Sequence, residues 1–169
     1  HKGSATKFTD DEYYAIAESA YYMDTLLHMH TQIMERYDPE NKIALVVDEW
    51  GTWYDVEPGT HPGFLYQQNT MRDAMTASVT LNLFNRHSRR VKMANLAQAV
   101  NVLQALLLTE GDRLIKTPTF HVFDLFKAHQ GGDAVYCFTE NAPLCEGKNV
   151  PMLSASASVK DGVLTLTAA

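Results

Sequence analysis

The sequence predicts an α/β fold in which helices alternate with parallel strands, followed by a short antiparallel part. Two apolar runs, Ile43 to Val47 and Val91 to Ala94, are the short continuous kind that is buried in a parallel sheet. They alternate with two helical patterns, at about 10 to 36 and 67 to 86. After Gly131-Gly132 the apolar period changes to two, which is typical of antiparallel strands. A right-handed crossover is the default connection between two parallel strands.

The first helix has a clear beginning and a clear apolar face. Thr9 to Glu12 has the form of a capping box, and Pro39 ends the helical pattern. The apolar stripe consists of Ile16, Ala20, Met23, Leu27, His30 and Met34. His28 and His30 are two residues apart and point to different sides of a helix, so they cannot bind one metal ion together. We therefore expect His30 to line the core.

The middle of the chain contains a second and a third helix. The pattern from 67 to 86 is apolar on more than one face, as expected for a helix between a sheet and other helices or a partner subunit. The segment from Ala97 to Leu108 fits either a helix or a loop that enters a strand, with a turn at residues 110–112. Thr117-Pro118 fits an N-cap followed by proline at the first helical position, which predicts a helix to about His129.

The end of the chain predicts a β-hairpin. Apolar residues alternate with serine from Ser154 to Val159, Asp161-Gly162 fits a hairpin turn, and the chain returns from Val163 to Thr167. Two strands alone are not stable, so we expect them to belong to a larger sheet. The composition boundary at Gly131-Gly132 divides the chain into residues 1–130 and 131–169.

Composition and charge exclude several classes of function. The net charge is −6 without a basic cluster, which argues against nucleic acid or an anionic membrane as the partner. No apolar run approaches the roughly 20 residues of a membrane span, so we expect a soluble protein. At 169 residues, the chain is shorter than the roughly 250 residues of a closed α/β barrel, and we expect it to be part of a larger protein.

The two cysteines predict neither a metal site nor a disulfide framework. Cys137 and Cys145 are too sparse for such a framework and lack His or Cys neighbours at zinc spacing. We expect free thiols, and a single local disulfide is the alternative. No cofactor or metal is predicted.

The most informative segment runs from Val46 to Tyr54. It places Glu49 where a buried strand ends and brings two tryptophans, Trp50 and Trp53, to the same place. A carboxylate beside aromatic rings suits a site that cleaves sugars. Two alternatives stay open at this point: the acidic residue caps or holds a loop, and Trp53 belongs to the core. Because side chains alternate along a strand, we expect Asp48 to point away from Glu49 and to have a structural role.

Residues 46–130 closely resemble the α-L-arabinofuranosidases of glycoside hydrolase family 51. Five separated blocks carry the resemblance in the same order: Asp48-Glu49-Trp50-Gly51, Tyr66 to Ala74, Asn85-Arg86-His87, Met93 to Gln98 and Thr117 to Phe123. The resemblance implies that residues 1–130 form the C-terminal part of a catalytic (β/α)8 TIM barrel. It implies that residues 131–169 begin a C-terminal, jelly-roll-like β-sandwich.

The resemblance also implies a chemistry and a set of site residues. Members of the family remove terminal non-reducing α-L-arabinofuranosyl groups from arabinan and arabinoxylan with retention, without a cofactor. Glu49 matches the family's nucleophile, Trp53 its aromatic wall beside the sugar, and Gln98 a glutamine that binds the furanose hydroxyls. By the same resemblance we expect a bacterial cytoplasmic protein, with secretion left open, and a homo-oligomer, a hexamer in the family.

One part of the family pattern is missing. The acid/base glutamate follows an asparagine on an earlier strand, and no Asn-Glu pair precedes Glu49 in this chain. We expect the partner to be the remaining N-terminal part of the enzyme, and we expect the chain alone to be inactive. Two alternatives remain: endo-glucanase or xylosidase activity of the same family, and a non-catalytic carbohydrate-binding or assembly fragment.

Overall fold

The computed structural model describes residues 3–140 and 147–169, and it shows an α/β chain with three separate sheets. The helices are α1 (Asp10–Tyr37), α2 (Met71–Arg86) and α3 (Pro118–Phe126), with short 3-10 turns at Pro62–Phe64 and Lys127–His129. The strands are β1 (Leu45–Trp50), β2 (Val91–Leu96), β3 (Leu107–Glu110), β4 (Arg113–Lys116), β5 (Asp133–Val135), β6 (Ala155–Lys160) and β7 (Val163–Ala168). The sheets are β1-β2, β3-β4 and β5-β6-β7.

Capping side chains fix where the helices begin. In α1 the Glu12 carboxylate accepts the Thr9 N–H at 2.7 Å and the Thr9 hydroxyl accepts the Glu12 N–H, so the predicted capping box is confirmed. The predicted start of α3 is also confirmed, with Thr117 as the N-cap. Helix α2 begins at Met71 rather than at residue 67, because Thr70 and Asp73 form a second capping box there. Residues 67–69 have no regular secondary structure.

The predicted parallel pair is confirmed, and the main core lies on it. Strands β1 and β2 pair in parallel, and α2 connects them. Trp50, at the end of β1, packs against Phe84 of α2 at 5.4 Å between ring centroids and stacks on Phe123 of α3 at 6.0 Å. The buried residues of this core are Leu27, Trp50, Ala74, Ala77, Phe84, Val91 and Val122. One tryptophan therefore joins the strand to two helices.

The prediction that His30 lines the core is wrong, since its side chain is exposed. The buried residues of α1 are Ile16, Ala20 and Leu27. Burial therefore ends one turn before His30, and the next apolar residues, Met29 and Ile33, are more than half exposed as well. The helical period was right, but the helix continues beyond the elements that pack on it.

The ambiguous segment after β2 is a loop that enters a β-hairpin. Strands β3 and β4 pair antiparallel from Leu107 with Lys116 to Glu110 with Arg113. Loop and hairpin are linked where the Asn101 amide group contacts both the hydroxyl and the backbone of Thr109. The helical alternative for residues 97–108 is therefore wrong.

The C-terminal strands form a sheet that packs on α2 through polar groups. The predicted turn is confirmed, with Asp161 at φ 50° and Gly162 at φ 76°. The fully buried Asn82 accepts hydrogen bonds from the Ser156 hydroxyl at 2.7 Å and the Thr167 hydroxyl at 2.8 Å. His129 contacts the Ser158 hydroxyl at 2.7 Å and the Thr167 hydroxyl at 3.0 Å, and burial lowers the pKa of its imidazole. The domain division at residue 130 stays a prediction.

Within residues 3–140 and 147–169, Cys137 has no disulfide partner, and its side chain is partly exposed. Cys145 lies outside the residues that the structure describes, so the alternative of a local disulfide stays open.

Asp38 fixes the passage from α1 to β1. Its carboxylate accepts the backbone N–H groups of Ile43 at 2.8 Å and Lys42 at 3.0 Å and also pairs with the buried Arg90 guanidinium. The two backbone hydrogen bonds, and then Arg90, hold the pKa of the Asp38 carboxyl below its usual value. A lowered pKa stabilises the fold above the unfolded-state value of about 4, and this contribution is lost as the pH falls through the folded-state pKa.

We therefore expect Asp38→Asn to weaken the acid sensitivity of the protein. Below pH 4, unfolding of the unsubstituted protein should take up as much as about one proton more than unfolding of the variant, because the Asp38 carboxylate becomes protonated when the protein unfolds. Denaturant titrations between pH 7 and pH 2.5 measure this, because the variant should be less stable at neutral pH and its stability should fall less on acidification. Parallel pH profiles for the two proteins would contradict the role given to Asp38.

Candidate active site

The end of β1 contains an irregularity at its two carboxylates. Val47 pairs with Ala94 and Trp50 with Leu96, so β1 has one residue more than β2 between these pairs. Such a bulge interrupts the strict alternation of side chains. Asp48 and Glu49 are both exposed. The alternation argument for Asp48 therefore does not apply here, and its structural role stays a prediction.

Glu49 and Trp53 line one cavity. The cavity has a volume of about 240 Å³, and its walls are Glu49, Trp50, Gly51, Thr52, Trp53, Ala97 and Leu103. The Trp53 side chain is 51% exposed, whereas Trp50 is 5% exposed. The core tryptophan is therefore Trp50, and the alternative that Trp53 belongs to the core is wrong.

Gln98 lies one residue outside the wall of this cavity. The preceding residue, Ala97, is part of the wall and donates its N–H to the Trp50 carbonyl at 2.9 Å. This hydrogen bond joins the loop after β2 to the end of β1. The Ala97–Gln98 peptide bond is cis, and the Gln98 side chain is exposed. The structure thus brings Glu49 and Trp53 together and leaves Gln98 beside them.

Two buried glutamines that sequence reasoning did not single out support the loop after β1. Gln104 is 0% exposed and its side-chain oxygen accepts the Thr52 N–H at 3.1 Å. Gln67 is 1% exposed and accepts the Tyr54 N–H at 2.8 Å. Gln67 falls in the Tyr66 to Ala74 block of the resemblance, which was a signal. Gln104 lies in the segment whose structure the sequence left open.

A buried carboxylate completes this support. Asp73 is fully buried, and it accepts the Thr52 hydroxyl at 2.6 Å and the Thr70 N–H at 2.7 Å. Burial raises the pKa of the Asp73 carboxyl despite these hydrogen bonds. Burial, and then the charge of Asp73, raise the pKa of the Tyr54 phenol. Asp73 does not line the cavity, so its contacts are those of a helix cap and a loop anchor.

Arg72 ties the start of the chain to the same region. Its guanidinium lies 3.7 Å from the centroid of the Phe8 ring and 4.0 Å from that of Tyr54. It also donates a hydrogen bond to the Ser4 carbonyl at 2.9 Å. Because such cation–π contacts are stronger when water is excluded, the buried Arg72 helps to fix the Tyr54 ring.

Within residues 3–140 and 147–169, no three His, Cys, Asp or Glu side chains are grouped so that they could hold a metal ion. None of the helices in this part of the chain combines the length and the apolar character that a membrane crossing requires.

Comparison with known proteins identifies the family. Residues 48–160 match the family described as the α-L-arabinofuranosidase C-terminal domain. The chain is 47% identical over 171 aligned residues to an intracellular exo-α-L-arabinofuranosidase of Bacteroides ovatus, which covers 98% of this chain and 33% of the relative. A probable α-L-arabinofuranosidase C of Aspergillus clavatus is 34% identical over 73% of this chain and 26% of its own length.

Solved structures give the same result. A GH51 arabinofuranosidase from Xanthomonas axonopodis pv. citri matches 98% of this chain with a TM-score of 0.90 and 45% identity. An α-L-arabinofuranosidase from Thermotoga maritima, solved with arabinose, matches 95% with a TM-score of 0.78 and 27% identity. The chain belongs to the α-L-arabinofuranosidases of glycoside hydrolase family 51. It spans about a third of the length of these relatives.

Proposed function

We propose that this chain supplies the nucleophile half of the active site of a retaining exo-α-L-arabinofuranosidase, with Glu49 as the nucleophile. The observation that carries the proposal is that Glu49 and Trp53 face one cavity at the end of a parallel strand, in a chain of this family. Active residues of (β/α)8 enzymes lie at the carboxyl ends of the barrel strands. A carboxylate that is exposed at such a strand end can reach a sugar.

In the proposed reaction, a Glu49 carboxylate oxygen attacks the anomeric carbon as the bond to the leaving oxygen breaks. The product of this step is a glycosyl ester on Glu49, and a second carboxylic acid gives its proton to the leaving oxygen. Water then attacks the anomeric carbon, the bond between that carbon and the Glu49 oxygen breaks, and the second carboxylate takes a proton from the water. The two carboxyl groups of retaining enzymes are about 5 to 5.5 Å apart. We propose that the second one lies in the rest of the enzyme and that the chain alone is inactive.

The same proposal assigns the elements to a larger fold. We propose that β1, α2 and β2 are the C-terminal part of a (β/α)8 barrel and that residues 131–169 begin a β-sandwich. The parallel pairing of β1 with β2 across α2 supports the barrel. The antiparallel sheet of β5, β6 and β7 supports the sandwich. We propose arabinan or arabinoxylan as the substrate and a cytoplasmic location, since the Bacteroides relative is called intracellular.

The first test replaces the proposed nucleophile in the full-length protein that carries this chain. We expect Glu49→Ala to lower kcat for an aryl α-L-arabinofuranoside by several orders of magnitude, because no glycosyl ester can form. External azide should restore part of the turnover by taking the place of the carboxylate. The control is Asp48→Ala, which removes the neighbouring exposed carboxylate. If Glu49→Ala keeps more than about a tenth of the activity, the barrier has changed by less than about 1.4 kcal/mol and the assignment is wrong.

The second test concerns the sugar contacts. We expect Trp53→Ala and Gln98→Ala each to lower kcat/KM. The corresponding loss of transition-state stabilisation should be about 1 to 3 kcal/mol, the range for a lost aromatic or hydrogen-bond contact. Phe64→Ala is the control, since Phe64 is an exposed aromatic residue outside the cavity. Steady-state kinetics with the same substrate measure all three variants. Equal kcat/KM values for Trp53→Ala and Phe64→Ala would refute the assigned contact.

A further inference from the structure

The loop that presents Trp53 is held on both sides by buried side chains. Along this loop, Thr52 is 6% exposed, Trp53 51% and Tyr54 3%. Thr52 and Tyr54 are buried, whereas the Trp53 side chain is half exposed at the cavity wall. The backbone N–H groups of Thr52 and Tyr54, on either side of Trp53, donate hydrogen bonds. Their acceptors are the side-chain oxygens of Gln104 and Gln67, respectively.

We propose that Gln67 and Gln104 are positioning residues, which fix the Gly51 to Tyr54 loop so that Trp53 stays beside Glu49. This inference rests on the proposed function, because it assigns Trp53 a role toward the sugar. It goes beyond it by assigning the accuracy of that contact to two amides that do not line the cavity.

Gln104 links the loop to the first turn of α2. Its oxygen accepts the Thr52 N–H at 3.1 Å, and its NH2 group donates to the Asp73 carbonyl at 2.8 Å. A primary amide can accept at one end and donate at the other, whereas a carboxylate or an apolar side chain cannot do both. The loop therefore takes its position from a helix whose own start is fixed by a capping box.

Gln67 holds the other side of Trp53. Its oxygen accepts the Tyr54 N–H at 2.8 Å, and its NH2 group lies 3.4 Å from both the carbonyl and the hydroxyl of Thr52. One side chain thus contacts the residues before and after Trp53. If it were replaced by an apolar residue of similar size, the Tyr54 N–H would stay buried without an acceptor.

Gly51 shows how closely the loop and Gln104 fit. Its φ is +144°, and a Cβ atom added there would lie 3.1 Å from the Gln104 side-chain oxygen and 3.3 Å from the Ala97 carbonyl. Little space therefore remains between the strand that bears Glu49, the loop after β2 and this amide. A shift of Gln104 would be transmitted to the residues on either side of Gly51.

The experiment uses near-isosteric variants of the full-length protein, Gln67→Met and Gln104→Met, which keep the volume and remove the hydrogen bonds. Asn82→Leu is the matched control, because Asn82 is a fully buried amide of α2 that contacts the C-terminal sheet instead of the loop. Gln104→Glu is the conservative variant, since it can still accept the Thr52 N–H but cannot donate to Asp73.

The first measurement is amide hydrogen exchange, which does not depend on activity. We expect exchange of the Thr52 amide to become at least about tenfold faster in Gln104→Met, and that of the Tyr54 amide in Gln67→Met, because each loses its acceptor. Gln104→Glu should retain part of the Thr52 protection, and Asn82→Leu should leave both amides unchanged. Unchanged exchange in the two methionine variants would overturn the inference.

The second measurement is a double-mutant cycle with Trp53. We expect Gln104→Met to lower kcat/KM by about tenfold, mainly through KM, since a misplaced contact group weakens binding of the sugar. In a Trp53→Ala background the same change should have an effect of less than about threefold, because Gln104 acts through Trp53. Full additivity, or loss of exchange protection without a change in kcat/KM, would overturn the positioning role.

These outcomes are distinguishable from failure of the proposed function. If Glu49→Ala left hydrolysis intact, the nucleophile assignment would fail, and the exchange rates of Thr52 and Tyr54 would still decide whether the two amides hold the loop.

Discussion

The parallel pairing of β1 with β2 is the constraint on which the candidate site depends. It places Trp50 opposite Leu96, and the Ala97 N–H then bonds to the Trp50 carbonyl. Residues that are far apart in the sequence therefore form one cavity wall. The bulge before Trp50 exposes Glu49 without removing Trp50 from the core. A single strand end thus combines a buried anchor with an exposed carboxylate, and packing energy at the anchor fixes the position of the carboxylate.

Buried polar side chains and the apolar core hold different parts of this structure in place. The apolar core around Trp50 holds the strand to the helices, whereas Gln67, Gln104 and Asp73 hold the loop that follows it. Buried amides are favourable only where both ends are hydrogen-bonded, so they specify one backbone path. Asn82 is another buried, hydrogen-bonded amide, and it lies where the C-terminal sheet packs on α2. Hydrogen bonds therefore direct the segments whose sequence is too polar to form a hydrophobic core.

Local patterns predicted most elements, and the misses have physical reasons. The capping box of Thr9 and the proline after Thr117 identified two helix starts because their interactions lie within one turn. The exposure of His30 could not be predicted, since a helical period shows which residues share a face but not where the neighbouring element ends. The proximity of Glu49 and Trp53 was predictable because both belong to one short motif, and their roles toward a sugar stay predictions. Gln104 was missed because its partners, Thr52 and Asp73, are distant in the sequence.

The claim that Glu49 is the nucleophile is tested most directly by trapping the covalent intermediate. With a 2-deoxy-2-fluoro-α-L-arabinofuranosyl donor that has a good leaving group, the enzyme should form the glycosyl ester faster than it hydrolyses it. The ester therefore accumulates. Peptide mass mapping of the inactivated full-length protein then locates the added sugar. If Glu49 is the nucleophile, we expect one sugar per active site, on the peptide that contains Asp48 and Glu49, with fragmentation that assigns it to Glu49. A label on any other carboxylate, or inactivation without a label, would contradict it.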